Sequence, residues 1–235
     1  MEYENKELVD SIDLVASEIL AVKRSMHHRD KFFPALINKL DLKVGVEVGV
    51  DKGEFSTHLL GSSSLKTLFC VDTWQNEFGS NYKPGFYDPQ GDNRYQDAIN
   101  TLKEFGERVV PMRGTSVDMA NSISAKFPNQ KIDFCYIDGD HTYEGVYVDI
   151  RAWLPKMRIG GIIAGHDYHT HPDGPKSGIM GWDGKQLPFG VNTVVDGYCQ
   201  RYGYPLRVVG GRILSWFFVK NKEVQDPLGI YSLRG

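Results

Sequence analysis

The stretch Ile132–Tyr168, IDFCYIDGDHTYEGVYVDIRAWLPKMRIGGIIAGHDY, decides the fold. It opens on IDFCYID, where Ile132, Phe134, Tyr136 and Ile137 are apolar or aromatic with Cys135 among them, the pattern of a buried strand. YEGVYVDIRAWLPKM follows as a helix and GGIIAGHDY as a second strand. A strand, helix and strand of these lengths close into a right-handed βαβ unit with parallel strands. The first strand breaks into Asp138, Gly139, Asp140 and His141, so a core element delivers two carboxylates and an imidazole to one place. The second strand ends on His166 and Asp167.

The same alternation extends in both directions. KELVDSIDLVASEILAVKRSM carries Leu8, Ile12, Val15, Ile19 and Val22 at helical spacing, and a second short helix is predicted from about Phe32 to Leu40. KVGVEVGV reads as a strand, GEFSTHLLG as a helix capped by Gly61, and TLFCVD (Thr67 to Asp72) as another buried strand. NRYQDAINTLKEFG is an amphipathic helix, RVVPMRG a strand, and SVDMANSISAKF a helix with Ser116 as its N-cap. GVNTVVDGYCQRYG is the last helix, and PLRVVG and RILSWFFVKN are a closing pair of strands. Alternation of this kind gives a mostly parallel sheet, and the closing pair gives an antiparallel strand at one edge. In such sheets ligands bind beyond the carboxyl ends of the strands, where every chemically suggestive group of this chain falls.

A chain of 235 residues can bury a core of several layers in one domain. A net charge of −3 offers no electrostatic case for nucleic acid. No apolar run reaches the roughly 18 residues that a membrane span needs. The start, MEYENKELVDSIDLVASEIL, is acidic and helix-patterned, unlike a signal peptide. Cys70, Cys135 and Cys199 lie far apart and are expected to be buried free thiols. The expectation is one cytoplasmic domain: N-terminal helices over 1–41, a ligand-binding core over 42–168, a substrate loop over 169–188, and a last helix and strand pair over 189–235.

VEVGVDKGEFS, Val46 to Ser56, joins the first parallel strand to its helix. Gly49 and Gly53 allow a tight turn and close approach of a ligand, and the helix N-terminus behind them offers free N–H groups. The turn lacks both the G-x-G-x-x-G spacing of dinucleotide binders and the Lys-Ser/Thr of a P-loop. Asp72 ends the next strand, where a carboxylate can accept the hydroxyls of a ribose, with Thr73 beside it. RGTS, Arg113 to Ser116, ends the strand after that, with room and backbone donors for an adenine.

GVEVGVDKGEFSTHLL, FCVDTW, MRGTS and IDGDHTYEGVYVDIRAWLPKMRIGGIIAGHDY together resemble the class I S-adenosylmethionine-dependent methyltransferases, in particular the metal-dependent catechol-type and macrolide-sugar O-methyltransferases. The similarity runs from about Val44 to Tyr168. The fold it implies is Rossmann-like: a doubly wound, mostly parallel seven-stranded sheet with an antiparallel edge strand and an N-terminal helical extension. The resemblance implies that Glu47, Gly49 and Ser56 surround the methionine part of the cofactor and that Asp72 holds the ribose, with Gly53 and Thr73 also in the cofactor site. Gly114, Thr115 and Ser116 would lie near the adenine, and Asp138 would also border the cofactor. Asp51 stands where relatives carry a second glycine, which leaves the shape of the loop open.

Ends of adjacent parallel strands lie about 4.8 Å apart, so Asp138, His166 and Asp167 can share one ion. Two carboxylates and an imidazole suit a hard or borderline divalent cation. The resemblance maps the metal ligands of its metal-dependent members onto these three residues, with histidine in place of the usual middle carboxylate. That change moves the preference from magnesium toward manganese or another imidazole-tolerant metal. His141 sits where relatives carry a general base, and an imidazole can take a proton near neutral pH. Plainer roles stand beside these. Asp138 suits a turn, His166 can support a ligand without binding the ion, His141 can be a loop histidine, and Asp140 is expected to cap the helix near Tyr143. His169 and His171 read as loop residues, and His27 and His28 as part of a polar MHHRD linker.

WQNEFGSNYKPGFYDPQGDNRY and HTHPDGPKSGIMGWDGKQLPFG are long and aromatic, as binding loops are. Trp74, Tyr82, Phe86, Tyr87 and Trp182 can stack on a sugar or an aromatic ring, or anchor the loops. The expected activity is methyl transfer to a hydroxyl of a small molecule, a sugar or glycoside first and a catechol-like phenol second, with a divalent metal. Three alternatives stay open: a metal-independent methyltransferase acting on oxygen or nitrogen, a non-catalytic cofactor-binding module, and a nicotinamide-dependent oxidoreductase. The N-terminal helices suit either a homo-oligomer interface or packing on the domain's own sheet.

Overall fold

The computed structural model describes residues 3–74, 91–127, 129–169, 179–180, 186–187, 189–210 and 213–224, with backbone alone at 91–92, 179–180 and 186–187. Tyr82, Phe86, Tyr87, His171 and Trp182 lie outside the described residues. The chain opens with α1 (Lys6–Val22) and α2 (Arg29–Lys39). Then come β1 (Val44–Val48), α3 (Glu54–Ser62), β2 (Thr67–Asp72), α4 (Gly91–Leu102) and β3 (Val109–Arg113). α5 (Ser116–Lys126), β4 (Ile132–Ile137), α6 (Tyr143–Trp153) and β5 (Met157–Tyr168) follow. A two-strand ribbon, β6 (Ile179–Met180) with β7 (Gln186–Leu187), precedes α7 (Val191–Tyr202), β8 (Arg207–Gly210) and β9 (Leu214–Val219).

The main sheet has seven strands in the order β3-β2-β1-β4-β5-β9-β8. β3, β2, β1, β4 and β5 pair in parallel, while β9 runs antiparallel to both β5 and β8. The winding reverses between β1 and β4, the point where open sheets of this kind bind ligands. Period-2 alternation gives each strand one side chain per face. Phe134, Tyr136, Phe217 and Val219 pack under α1, α2 and α3. Cys135, Ile137, Trp216 and Phe218 pack under α5, α6 and α7. Two buried faces explain why the strands read as continuous apolar runs in the sequence. All three cysteines are buried and free.

Four local expectations need correction. α1 buries Val9, Ile12, Ala16 and Ile19 in the core, while Val22 is exposed, so the apolar stripe is rotated from the one read off the sequence. Gly61 lies inside α3, which ends at Ser62 with Ser63 as its C-cap. The Ser63 hydroxyl binds Leu59 O, and Arg108 Nη2 donates to Leu60 O at 2.9 Å, so no left-handed glycine is needed there. Thr115, not Ser116, caps α5, its hydroxyl accepting from Asp118 N. α2 begins at Arg29 rather than near Phe32, which brings Arg29 to the strand ends.

Candidate active site

Gly49 and Asp138 meet at the sheet's reversal point. Asp138 N donates to Val48 O at 2.8 Å, and Gly49 N to Val71 O at 2.9 Å. A Cβ on Gly49 would lie 2.2 Å from Asp138 O, and its φ is +86°. Only glycine permits both the turn and this contact. Gly53, φ +82°, precedes α3 without any side-chain cap, leaving first-turn N–H groups open to a ligand. Asp51 adopts the left-handed conformation itself with φ +51°. Asp is among the few residues that enter this region readily.

Asp72 holds that turn in place. Its Oδ2 accepts from Asp51 N and its Oδ1 from Trp74 N, both at 2.9 Å. Trp74 is buried, edge-on to Tyr95, and its Nε1 donates to Asp51 O at 2.7 Å. Among the candidate stacking residues, Trp74 is therefore engaged with the turn at Asp51. Arg94 closes the latch on Asp51 Oδ1 at 2.7 Å. Thr73 is exposed, and Gly114 N donates to Asp72 O at 3.0 Å. Thr115 is occupied as the cap, and Ser116 Oγ accepts from Trp153 Nε1 at 2.9 Å. Glu47 and Ser56 lie buried beneath the turn, joined at 2.6 Å. Burial pushes the Glu47 carboxyl up to about 8 against the pull of the Ser56 hydroxyl.

The ends of β4 and β5 bring four ionisable side chains together. His141 Nε2 lies 3.4 Å from Asp138 Oδ1 and 3.1 Å from Asp167 Oδ2. His166 Nδ1 lies 3.6 Å and 3.2 Å from the same two oxygens. Asp138, His141 and Asp167 each present a ligand atom within 4.8 Å of the others. Sequence reasoning assigned the ion to Asp138, His166 and Asp167, and this geometry gives His141 an equal claim. Burial opposes charge on His166, but Asp138 and Asp167 outweigh it and raise the imidazole to about 9. Burial likewise opposes a charged His141, and the same carboxylates raise it. Burial would raise Asp138, yet the two imidazoles and Arg29 hold it well below the usual carboxylate range. Two carboxylates with adjacent imidazole nitrogens form a donor set that fits a divalent ion.

Arg29 is the site residue that sequence reasoning missed. Its Nη1 donates to Asp138 Oδ2 at 2.6 Å, across 109 positions of sequence. Its guanidinium lies over Phe55 at 4.7 Å. The available signal was Asp30, an acid in the first turn just ahead of the Phe32, Phe33, Leu36 and Ile37 stripe. Asp140 does not cap α6; Thr142 does, and Asp140 Oδ1 accepts from Thr142 N at 2.8 Å. Both flanks of the proposed substrate loop are clamped here. Asn192 holds the His169 backbone through both amide atoms, and Gly190 N donates to His141 O at 2.9 Å. Phe189 packs on the His141 and His169 rings at 5.8 and 4.9 Å.

A family model described as a methyltransferase domain matches residues 46–168. A curated relative, the uncharacterized protein y4gI of Sinorhizobium fredii, is 23% identical over 133 residues, which are 57% of this chain and 13% of that protein. The O-methyltransferase of Bacillus cereus, solved with SAH, superposes with a TM-score of 0.56 at 14% identity over 91% of each chain. TomG of Streptomyces achromogenes, an O-methyltransferase of tomaymycin synthesis solved with SAM, gives 0.56 at 15% identity over 91% of this chain and 90% of that one. CalS11, a calicheamicin methyltransferase, gives 0.54 at 17% identity, covering 94% and 95%. These likenesses show that the fold is shared.

Proposed function

The chain belongs to the methyltransferase-domain family, and from that premise we propose that it transfers a methyl group from S-adenosylmethionine to a hydroxyl oxygen of a small molecule, assisted by a divalent ion. The observation that carries this reading is the convergence of Asp138, His141, His166 and Asp167 beside the glycine turn at the sheet's reversal point. The uncapped α3 N-terminus, the buried Glu47 and the Asp72 latch border the proposed cofactor cleft, and Asp138, Asp167 and His166 would hold the ion. When bound, the cofactor supplies a methyl activated by its sulfonium charge, and the ion lowers the pKa of an acceptor hydroxyl.

The chain's own part is placement and proton uptake. His141 Nε2 stands at the carboxylates, 3.4 and 3.1 Å away, and in its neutral form would take the hydroxyl proton at that atom. It must be neutral to do so: the carboxylates beside it favour the protonated ring, and the imidazole would give up that proton once their charge is offset by a bound cation. Phe189 and the Gly190 bond fix the ring, so the base is oriented before substrate arrives.

Vicinal oxygens suit a pair of carboxylates sharing an ion; a sugar or glycoside is the acceptor proposed first, and a catechol-like phenol, which presents the same pair, second. Magnesium or manganese is the proposed ion, the imidazole favouring manganese. The proposed compartment is the cytoplasm, in keeping with three unpaired buried cysteines; no described helix is long and apolar enough to cross a membrane. A metal-independent reading has one observation in its favour: Arg29 and the imidazoles already satisfy both carboxylates. Methyl transfer to a panel of sugars and phenols, assayed with EDTA and with added manganese, separates the two. Turnover that survives chelation would remove the ion, and absence of transfer to any acceptor together with absence of cofactor binding would overturn the whole reading.

A further inference from the structure

Arg29 lies outside the residues matched by the family model and enters the site from the first turn of α2. It is held on several sides. Nη1 bonds Asp138 Oδ2 at 2.6 Å and lies 3.5 Å from the Tyr136 hydroxyl. The guanidinium lies over the Phe55 and Tyr136 rings at 4.7 and 5.8 Å. Asp30 Oδ1 stands 3.7 Å from Nε, and Asp30 Oδ2 lies 3.9 Å from His58 Nε2. A guanidinium stays charged at every accessible pH, so this cation cannot be titrated away.

The consequences fall on Asp138. One of its oxygens, Oδ2, is committed to Arg29, and only Oδ1 faces His141 and His166. Without Arg29 the ion would meet two unit negative charges; with it, one of them is offset. We propose that Arg29 is a positioning residue that limits the divalent-ion affinity of the strand-end carboxylates and restricts Asp138 to a single ligand oxygen. The inference rests on the ion-assisted reading of this site. It makes the N-terminal extension part of the active site, with the register of α2 setting how tightly the ion is held. A residue that served only to pin α2 to the sheet would, on removal, weaken ion binding or leave it unchanged. A charge-offsetting residue does the opposite.

The test is the affinity of the full chain for Mn²⁺, followed by the electron-spin signal of the free ion, in wild type, Arg29→Met and Arg29→Lys. Thermal melts of each show whether the fold is retained. Arg29→Met, which removes the charge and keeps unbranched bulk, is expected to bind at least roughly tenfold tighter, because a like charge has left a half-buried site. Arg29→Lys keeps the charge and is expected to stay near wild type. Arg29→Gln serves as the neutral variant if Arg29→Met does not fold. Equal or weaker binding by a folded neutral variant would overturn the inference. So would the absence of Mn²⁺ binding from every variant at millimolar ion, which would also remove the ion from the proposed function. Calorimetric titration of the same preparations with S-adenosylhomocysteine reports on the cofactor half of that reading independently.

Discussion

The two halves of the strand-end edge are built by different means. At the ends of β1, β2 and β3, backbone does most of the work: left-handed turns at Gly49, Asp51 and Gly53, held by Asp72 through two backbone N–H groups. At the ends of β4 and β5, side chains converge on one another, with Asp138, Asp167, His141, His166 and Arg29 in direct electrostatic contact. A backbone cradle fixes shape and tolerates exchange of side chains that keep the dihedral angles. A charge cluster fixes chemistry and tolerates little. The lesson is that mutations on the two sides should fail differently.

The largest expected effect is on the charged side. Asp138→Ala should lower turnover by more than roughly 1000-fold and abolish Mn²⁺ binding while leaving S-adenosylhomocysteine affinity within a few-fold, since it removes an ion ligand and the anchor of Arg29. Paired kinetics and titrations check this, and near-normal turnover would break the comparison. Next comes the backbone side, where Gly49→Ala places a Cβ 2.2 Å from Asp138 O at a φ of +86°. A loss of about 3 kcal/mol or more in urea unfolding is expected, from strain and clash together.

Asp72→Ala should weaken S-adenosylhomocysteine roughly tenfold by freeing the Asp51 turn, with Mn²⁺ affinity unchanged. Equal losses in both titrations would show that the halves are not independent. His166→Gln and His141→Gln sharpen the assignment within the charged half. The first should lose Mn²⁺ affinity roughly tenfold or more, and the second should keep the ion and lose turnover. The reverse pattern would exchange their roles.

An effect on stability alone lies behind both halves. Asp149 is buried on α6, bonded to Ser116, and burial raises it to about 7. An unfolded Asp titrates near about 3.9, so its favourable contribution is full below that pH and is lost as pH rises through about 7. Asp149→Asn should therefore gain on wild type in thermal melts between about pH 4 and 7, then level off. A difference independent of pH would contradict the burial argument.

How much of this was legible in the sequence follows the same division. The strands of the main sheet were readable, some almost to the residue, as at Thr67–Asp72 and Ile132–Ile137, because strands buried on both faces are continuous apolar runs between turn residues; the short β6–β7 ribbon was not. The glycine turn and the carboxylates at the strand ends were readable because their partners follow at fixed offsets along successive βα units. Helix ends were not: Gly61 and Ser116 were misread because side-chain bonds from Ser63, Arg108 and Thr115 decide those ends, and the start of α2 has no side-chain cap to mark it. For Trp74 the sequence left stacking and anchoring equally open, and its bond to Asp51 O could be seen only once β1 and β2 stood side by side. Arg29 was hidden for the same reason, since no periodicity links positions 109 residues apart.

The measurement that tests the central claim most directly is calorimetric titration of the full chain with S-adenosylhomocysteine, repeated after EDTA treatment and with manganese restored. The account predicts micromolar cofactor binding and a separate manganese isotherm that Asp138→Ala abolishes. Cofactor binding with no manganese isotherm in wild type or in Arg29→Met would contradict the ion-assisted site, and absence of cofactor binding would contradict the methyltransferase assignment itself.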